Sequence, residues 1–155
     1  MRPLDLSKFR KDLTKALPNI STGFNDPKTW VSTGNYCLNK LISGSFFKGI
    51  PLGKSTILGG ASGSGKSFIA SGNVVREAQK MGIFVVLIDT ENALDEAWLQ
   101  ALGVDTSPEK ILRISASMID DVAKIISDFM KEFKSNYASE AKEDRPKAVS
   151  YTHLR

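Results

Sequence analysis

Gly60-Ala61-Ser62-Gly63-Ser64-Gly65-Lys66-Ser67 is a glycine, four residues, then Gly-Lys-Ser, the spacing of a phosphate-cradling P-loop. A polyphosphate is a dense anion that backbone N–H groups must approach closely. Glycines allow the backbone angles this needs and keep side chains out of the way, and a following helix N-terminus adds its own N–H groups and dipole. In such a loop Gly60, Ala61, Ser62, Gly63, Ser64 and Gly65 wrap the phosphates. Lys66 reaches the β and γ phosphates, and the Ser67 hydroxyl ligates Mg²⁺. Average residue frequencies give the fixed positions a chance coincidence below about 1% over a chain this long.

The flanks place the loop between a strand and a helix. Ser55-Thr56-Ile57-Leu58-Gly59 reads as a short buried strand, and a helix is expected from Lys66 to about Met81. Ile83-Phe84-Val85-Val86-Leu87-Ile88 is an unbroken apolar run, as in a strand buried on both faces of a parallel sheet. A helix over 93–102 ended by Gly103 follows, then a strand over 111–115. Met118, Ile119, Val122, Ile125, Ile126, Phe129, Met130 and Phe133 line one side of a longer helix, with Asp120 and Asp121 in its favourable first turn. Met118, Phe129, Met130 and Phe133 are expected in the core. Residues 134–147 are polar, a solvated helix end or loop. Alternating strands and helices make an α/β fold with a mainly parallel sheet and flanking helices.

Toward the N-terminus, Leu6, Phe9, Leu13 and Leu17 recur at helical spacing behind Asp5, up to Pro18. Residues 19–33 mix Gly23, Asn25, Pro27 and Ser32 with isolated apolar residues, as an ordered loop or docking arm would. A short helix is expected over 35–43, with Cys37 as a small buried apolar residue.

The 155 residues suffice for one domain with its own core, and 41% hydrophobic with 25% charged residues is ordinary globular composition. No run approaches the roughly 18 apolar residues of a membrane span, and the N-terminus lacks a signal-peptide core. A cytoplasmic setting without membrane attachment is expected. One cysteine and one histidine, His153, leave no internal disulfide, thiolate zinc cluster or Ser-His-Asp triad. The net charge of +4 is uneven: residues 1–54 carry nine Lys or Arg against three acids, residues 85–140 five against eleven. A basic segment facing an acidic one fits nucleic-acid contact, docking onto a neighbouring copy, or plain solvated surface.

The second strand ends in Asp89-Thr90-Glu91-Asn92, where ligands bind in open α/β sheets. Glu91 there is a candidate to orient and deprotonate a water attacking the γ phosphate, while acids at such ends also cap the next helix. Asp95 and Trp98, one turn apart, offer a hydrogen bond and a flat face to a base, or simple packing.

Ile88-Asp89-Thr90-Glu91-Asn92-Ala93-Leu94-Asp95 with Leu102-Gly103-Val104-Asp105 resembles the RecA-type strand-exchange recombinases. So does Ser32-Thr33-Gly34-Asn35, with Leu38 and Leu41, running into Gly49-Ile50-Pro51-Leu52-Gly53. The resemblance, nearest to the UvsX-like recombinases of tailed phages, covers most of residues 1–147. It implies a RecA-like P-loop NTPase core that binds ATP and Mg²⁺, with Lys66 and Ser67 as phosphate and metal ligands and Lys66 and Glu91 serving catalysis. Asp95 and Trp98 would sit at the adenine; relatives usually carry tyrosine where Trp98 stands. Residues 1–31 would be a helix and arm docking on the next protomer of a filament, and residues 32–147 the ATP-binding core. The full protein would form ATP-dependent filaments on single-stranded DNA for recombination and repair, in a phage-infected bacterium.

The resemblance also implies an apolar strand ending in Asp, the Walker B element, just after Lys147. Ala148-Val149-Ser150-Tyr151-Thr152-His153-Leu154-Arg155 contains no acid. Residues 148–155 are therefore expected to be foreign to the family, a truncation joined to vector or adapter translation, and the fragment to hold nucleotide without efficient hydrolysis. A non-catalytic filament-interaction module, or part of another P-loop ATPase such as a hexameric helicase, are the alternatives.

Overall fold

The computed structural model describes residues 7–16, 26–137, 139 and 148–153. In chain order these form α1 (Ser7–Ala16), β1 (Trp30–Val31), α2 (Tyr36–Ser43) and β2 (Ile50–Pro51), then a wide π-helical stretch (Phe68–Val74) running straight into α3 (Val75–Lys80). After them come β3 (Phe84–Asp89), α4 (Glu96–Ala101), β4 (Ile111–Ser115), α5 (Ile119–Tyr137) and β5 (Ala148–His153).

β3 is the centre of the molecule because the apolar run at 83–88 can satisfy neither face in water. It pairs in parallel with β4 on one edge, Val85 opposite Ile111 through Asp89 opposite Ser115, and with β5 on the other, Phe84 opposite Ala148 through Asp89 opposite His153. Alternate β3 side chains feed two cores. Val85 and Leu87 pack with Val75, Ala78, Leu94, Leu99 and Val104, so α3 and α4 cover one face. Val86 and Ile88 pack with Ala116 and Val122, backed by Ile125 and Phe129, so α5 covers the other. The result is the helix–sheet–helix layering and parallel pairing expected of an α/β fold.

Several boundaries differ from the sequence expectation for identifiable reasons. Residues 55–59 form no strand, and Ile57 is 92% exposed. A strand exists only through a hydrogen-bonded neighbour, and residues 55–59 pair with no strand of the β4-β3-β5 sheet. The tail after Lys147, expected to be foreign to the family and without the Asp-ended strand, forms a strand of the sheet, β5, whose last residue His153 stands opposite Asp89. α4 begins at Glu96 and not at residue 93, because the Asp95 carboxylate accepts the Trp98 N–H at 2.8 Å and caps the helix at that point. α5 runs on to Tyr137, where Phe133 and Tyr137 stack with ring centroids 5.0 Å apart.

Two core assignments are corrected. Met118 and Met130 are exposed, and Phe129 and Phe133 only half-buried, since the apolar stripe of α5 is broader than the face of β3 and β4 it covers. Cys37 is exposed as well. It lies on the outer side of α2, whose buried position is the polar Asn39.

That asparagine anchors the short antiparallel pair of β1 and β2, in which Trp30 faces Pro51 and Val31 faces Ile50. The Asn39 amide oxygen accepts the Thr33 N–H at 2.9 Å and the Thr33 hydroxyl at 2.8 Å. Its Nδ2 donates to Ser32 Oγ at 3.0 Å and to the Phe46 carbonyl at 2.9 Å. The Ser43 hydroxyl bridges the turn that follows, toward the Asn39, Ser45 and Lys48 carbonyls. Asn35 accepts the Leu38 N–H and starts α2; Gly44, with φ of 78°, ends it.

α1 lies where its spacing predicts, with Phe9 exposed and Leu13 half-buried. Leu6, Leu17 and Pro18, residues 19–25 of the expected arm, and most of 138–147 lie outside the described residues. Val31, at the end of the expected arm, is buried in the core under α3.

Candidate functional site

The loop over 60–67 is held by its own polar atoms. Gly63 and Gly65 take φ of 75° and 86°, the left-handed region in which a side chain is strained. Ser64 N–H donates to the Ala61 carbonyl at 3.3 Å, and a Cβ on Gly60 would stand 2.9 Å from Ser64 Oγ. Helical winding starts at Lys66, and the Ile69 N–H closes onto the Gly65 carbonyl at 3.0 Å. A helix's first N–H groups have no partner inside the helix, so this start supplies donors beside two glycines that carry no side chains. Lys66 Nζ donates to the Gly60 and Ala61 carbonyls at 2.9 and 2.8 Å. The ammonium is thus arched back over the loop that its own helix follows. This combination of a cation, glycine backbone and a helix start suits a polyphosphate, and the Ser67 hydroxyl at the helix start is of the right chemistry to hold Mg²⁺.

Behind the loop, the π-helical stretch packs tightly: a Cβ on Gly72 would stand 2.5 Å from Leu102 Cδ1. Arg76 ties this layer to α4, donating from Nη1 to the Leu102 carbonyl at 3.0 Å.

The acidic end of β3 is organised by Asp89 rather than by Glu91. Asp89 is buried; its Oδ1 accepts the Glu91 N–H at 3.2 Å, and its Oδ2 accepts the Leu94 N–H at 3.0 Å and Arg113 Nη2 at 3.2 Å. Burial alone raises the pKa of its carboxyl. Hydrogen bonds from the Leu94 N–H, Arg113 and the Ala93 and Glu91 N–H groups outweigh that and hold it below its ordinary value. Arg113 Nη2 and Ser115 Oγ also donate to Asn92 Oδ1, both at 3.2 Å, and Asn92 takes φ of 50°. A buried carboxylate, an arginine from the neighbouring strand and a left-handed asparagine together fix the path of residues 90–94. Glu91 is carried, exposed, on that loop.

Asp95 spends its carboxylate on the Trp98 N–H, the capping role weighed for acids at this strand end. Trp98 is half-buried against the core under α3 and α4. The hydrogen bonds of Lys66 stay within its loop and that of Asp95 within its helix, so the two halves of the candidate site are each built locally. Sequence reasoning passed over Asp89, Arg113 and Asn92. The available signal was an acid closing a strand of buried residues, which must find partners, and an arginine inside the next strand.

A family model described as the RecA N-terminal domain matches residues 15–132, a span that contains the loop, Glu91, Asp95 and Trp98. Protein RecA of Corynebacterium jeikeium is 32% identical over 104 residues, covering 66% of this chain and 27% of that protein. Protein RecA of Aquifex aeolicus is 33% identical over 140 residues, 77% of this chain and 39% of that protein. Protein RecA of Desulfotalea psychrophila is 46% identical over 100 residues, 64% and 24% respectively. The chain thus spans well under half the length of these relatives.

Proposed function

The chain belongs to the RecA family through its N-terminal domain, and from that premise we propose that it is the ATP-holding part of a recombinase that assembles on single-stranded DNA, of the phage UvsX-like kind. Lys66 and the backbone of 60–65 bind the triphosphate, and Ser67 holds Mg²⁺, which would neutralise charge on the β and γ phosphates. Glu91 orients the attacking water, and Asp95 with the uncovered part of Trp98 meets the adenine. Residues 148–155 carry no carboxylate and are foreign to the family.

What supports this most is the position of the glycine loop inside the matched span, with Gly63 and Gly65 left-handed directly before a helix start. Titrating the chain with a fluorescent ATP analogue should give saturable binding, and Lys66→Ala should weaken it about tenfold, the scale of one lost charge-assisted contact. Equal affinity in the variant would sink the proposal.

A second reading, self-association, is favoured by the apolar side chains that two helices leave uncovered. α1 exposes Phe9 beside Lys8, Lys11 and Lys15. α5 exposes Ile119, Ile126 and Met130 beside Asp120, Asp121, Asp128 and Glu132. α1 also exposes Asp12, and α5 also exposes Lys124, Lys131 and Lys134, with Lys131 paired to Asp128, so the uncovered apolar side chains rather than the charges carry this reading. Sedimentation of the chain is expected to show concentration-dependent assembly that a variant lacking residues 1–25 loses while it still binds nucleotide. Assembly that survives the deletion would exclude α1.

A further inference from the structure

Ser71 is fully buried, and among the described residues its hydroxyl is the buried side-chain oxygen that no hydrogen-bond partner satisfies. An unpaired hydroxyl in a core is unfavourable, so its presence calls for a reason. The winding around it supplies one. Ser71 stands in the middle of the π-helical stretch Phe68–Val74, which begins directly after Ser67 of the phosphate loop. Backbone bonds in a π-helix run to the fifth residue back and in an α-helix to the fourth, and a serine hydroxyl on an α-helix can itself reach the carbonyl four residues back. For Ser71 that carbonyl belongs to Ser67. Winding residues 68–74 as α therefore offers the buried hydroxyl a partner that the π winding denies it.

The two ends of the stretch are held differently. On its C-terminal side α3 is fixed: Val75 and Ala78 are buried in the main core, Arg76 Nη1 donates to the Leu102 carbonyl at 3.0 Å, and the Gln79 amide exchanges hydrogen bonds of 2.7 and 2.9 Å with the Asp105 backbone. On its N-terminal side the bonds stay inside the loop, from the Ile69 N–H to the Gly65 carbonyl and from Lys66 Nζ to the Gly60 and Ala61 carbonyls. A change of winding is thus delivered to the loop and not to the core. Gly72 suits such a change. Its backbone approaches α4 so closely that a Cβ would stand 2.5 Å from Leu102 Cδ1, and without a side chain it can turn past that leucine. Lys66 ties the winding to a ligand, because its ammonium cannot keep both loop carbonyls while it serves a phosphate.

We propose, resting on the polyphosphate reading of residues 60–67, that Phe68–Val74 has two registers: the π winding described above, and an α winding that a bound polyphosphate favours. Ser71 is the positioning residue that links them, since its hydroxyl bonds the Ser67 carbonyl in the second register and nothing in the first. In the α register the stretch has fewer residues per turn and lengthens, which carries Lys66 and Ser67 toward the anion.

The test compares the parent chain with Ser71→Ala, with sodium tripolyphosphate as the ligand in titration calorimetry and thermal melts followed by circular dichroism. Alanine has no hydroxyl to leave unpaired in one register or to satisfy in the other. Without the anion, Ser71→Ala should melt about 3 °C above the parent. It should nevertheless bind tripolyphosphate about tenfold more weakly, although no atom that touches the anion has changed. A serine with a merely structural role would not move stability and affinity in opposite directions. In the parent, the Cα and carbonyl chemical shifts of residues 68–74 should move on saturation with tripolyphosphate. Equal affinity in parent and variant overturns this inference alone, as do unmoved shifts over 68–74 in the bound parent. So does a variant that melts below the parent, which would mean that the Ser71 hydroxyl is satisfied without the anion. A parent chain that binds no tripolyphosphate overturns it together with the reading of the loop.

Discussion

Gly49→Ala is expected to destabilise the fold by about 3 kcal/mol, the upper range for a forced fit in a packed interior. A Cβ at Gly49 would stand 2.5 Å from the Val31 carbonyl oxygen, 2.6 Å from Asn39 Oδ1 and 2.7 Å from the Thr33 nitrogen. Two of those three atoms are backbone and the third is the acceptor of the Thr33 hydrogen bonds, so none can rotate aside. Relief requires the pair of β1 and β2 to separate, which opens the cover over Val31, a member of the main core. Chemical denaturation with circular dichroism measures the difference. A midpoint unchanged from the parent chain would mean that the approach of residues 31, 33 and 39 to Gly49 is not as described. Gly53→Ala is the informative contrast: its added methyl meets nothing within 4 Å, although φ of 76° imposes a smaller backbone strain of its own.

The elements legible in the sequence were those whose signal is local. The run at 83–88 has no polar position to turn toward water, and it became the central strand; Ile111–Ser115 matched its expected bounds, and the helix expected over 35–43 runs Tyr36–Ser43. Residues 55–59 have the composition of a strand but pair with none of β3, β4 and β5, and pairing is decided by the whole sheet and not by local composition. The pair of β1 and β2 was missed for the converse reason: two residues each carry no periodicity, and the pair is fixed by Asn39 and Gly49 from outside it. Exposure of Cys37, Met118 and Met130 followed the same logic, since an apolar side chain is buried only where a partner surface reaches it. At the candidate site, the glycine spacing of the loop was plain in the sequence. The Asp89 hub was not, because its members come from two strands and a loop, and only the parallel register of β3 with β4 brings Arg113 to Asp89.

Asp89→Ala is the second change expected to cost about 3 kcal/mol, and its effect carries a pH signature. The carboxylate is fully buried while Arg113 is partly in water, so removal strips the Leu94 N–H of its acceptor and leaves a half-shielded guanidinium without its counter-charge. Breaking a buried pair from one side costs about 3–5 kcal/mol, and the partial exposure of Arg113 puts this case at the lower end. The Asp89 carboxyl is held below its ordinary 3.8 in the folded chain, so its charged form is favoured by folding. That contribution is complete above the unfolded value near pH 4 and fades as the pH falls through the depressed folded value. The parent chain should therefore lose stability steeply in acid, and Asp89→Ala should have a flatter curve that approaches the parent's at the lowest pH. Amide exchange at Glu91 and Leu94 should quicken in the variant at neutral pH, since their N–H groups bond to the missing oxygens. Parallel stability curves for the two proteins between pH 2 and 7 would show that Asp89 is not the group whose charge holds the loop bearing Glu91.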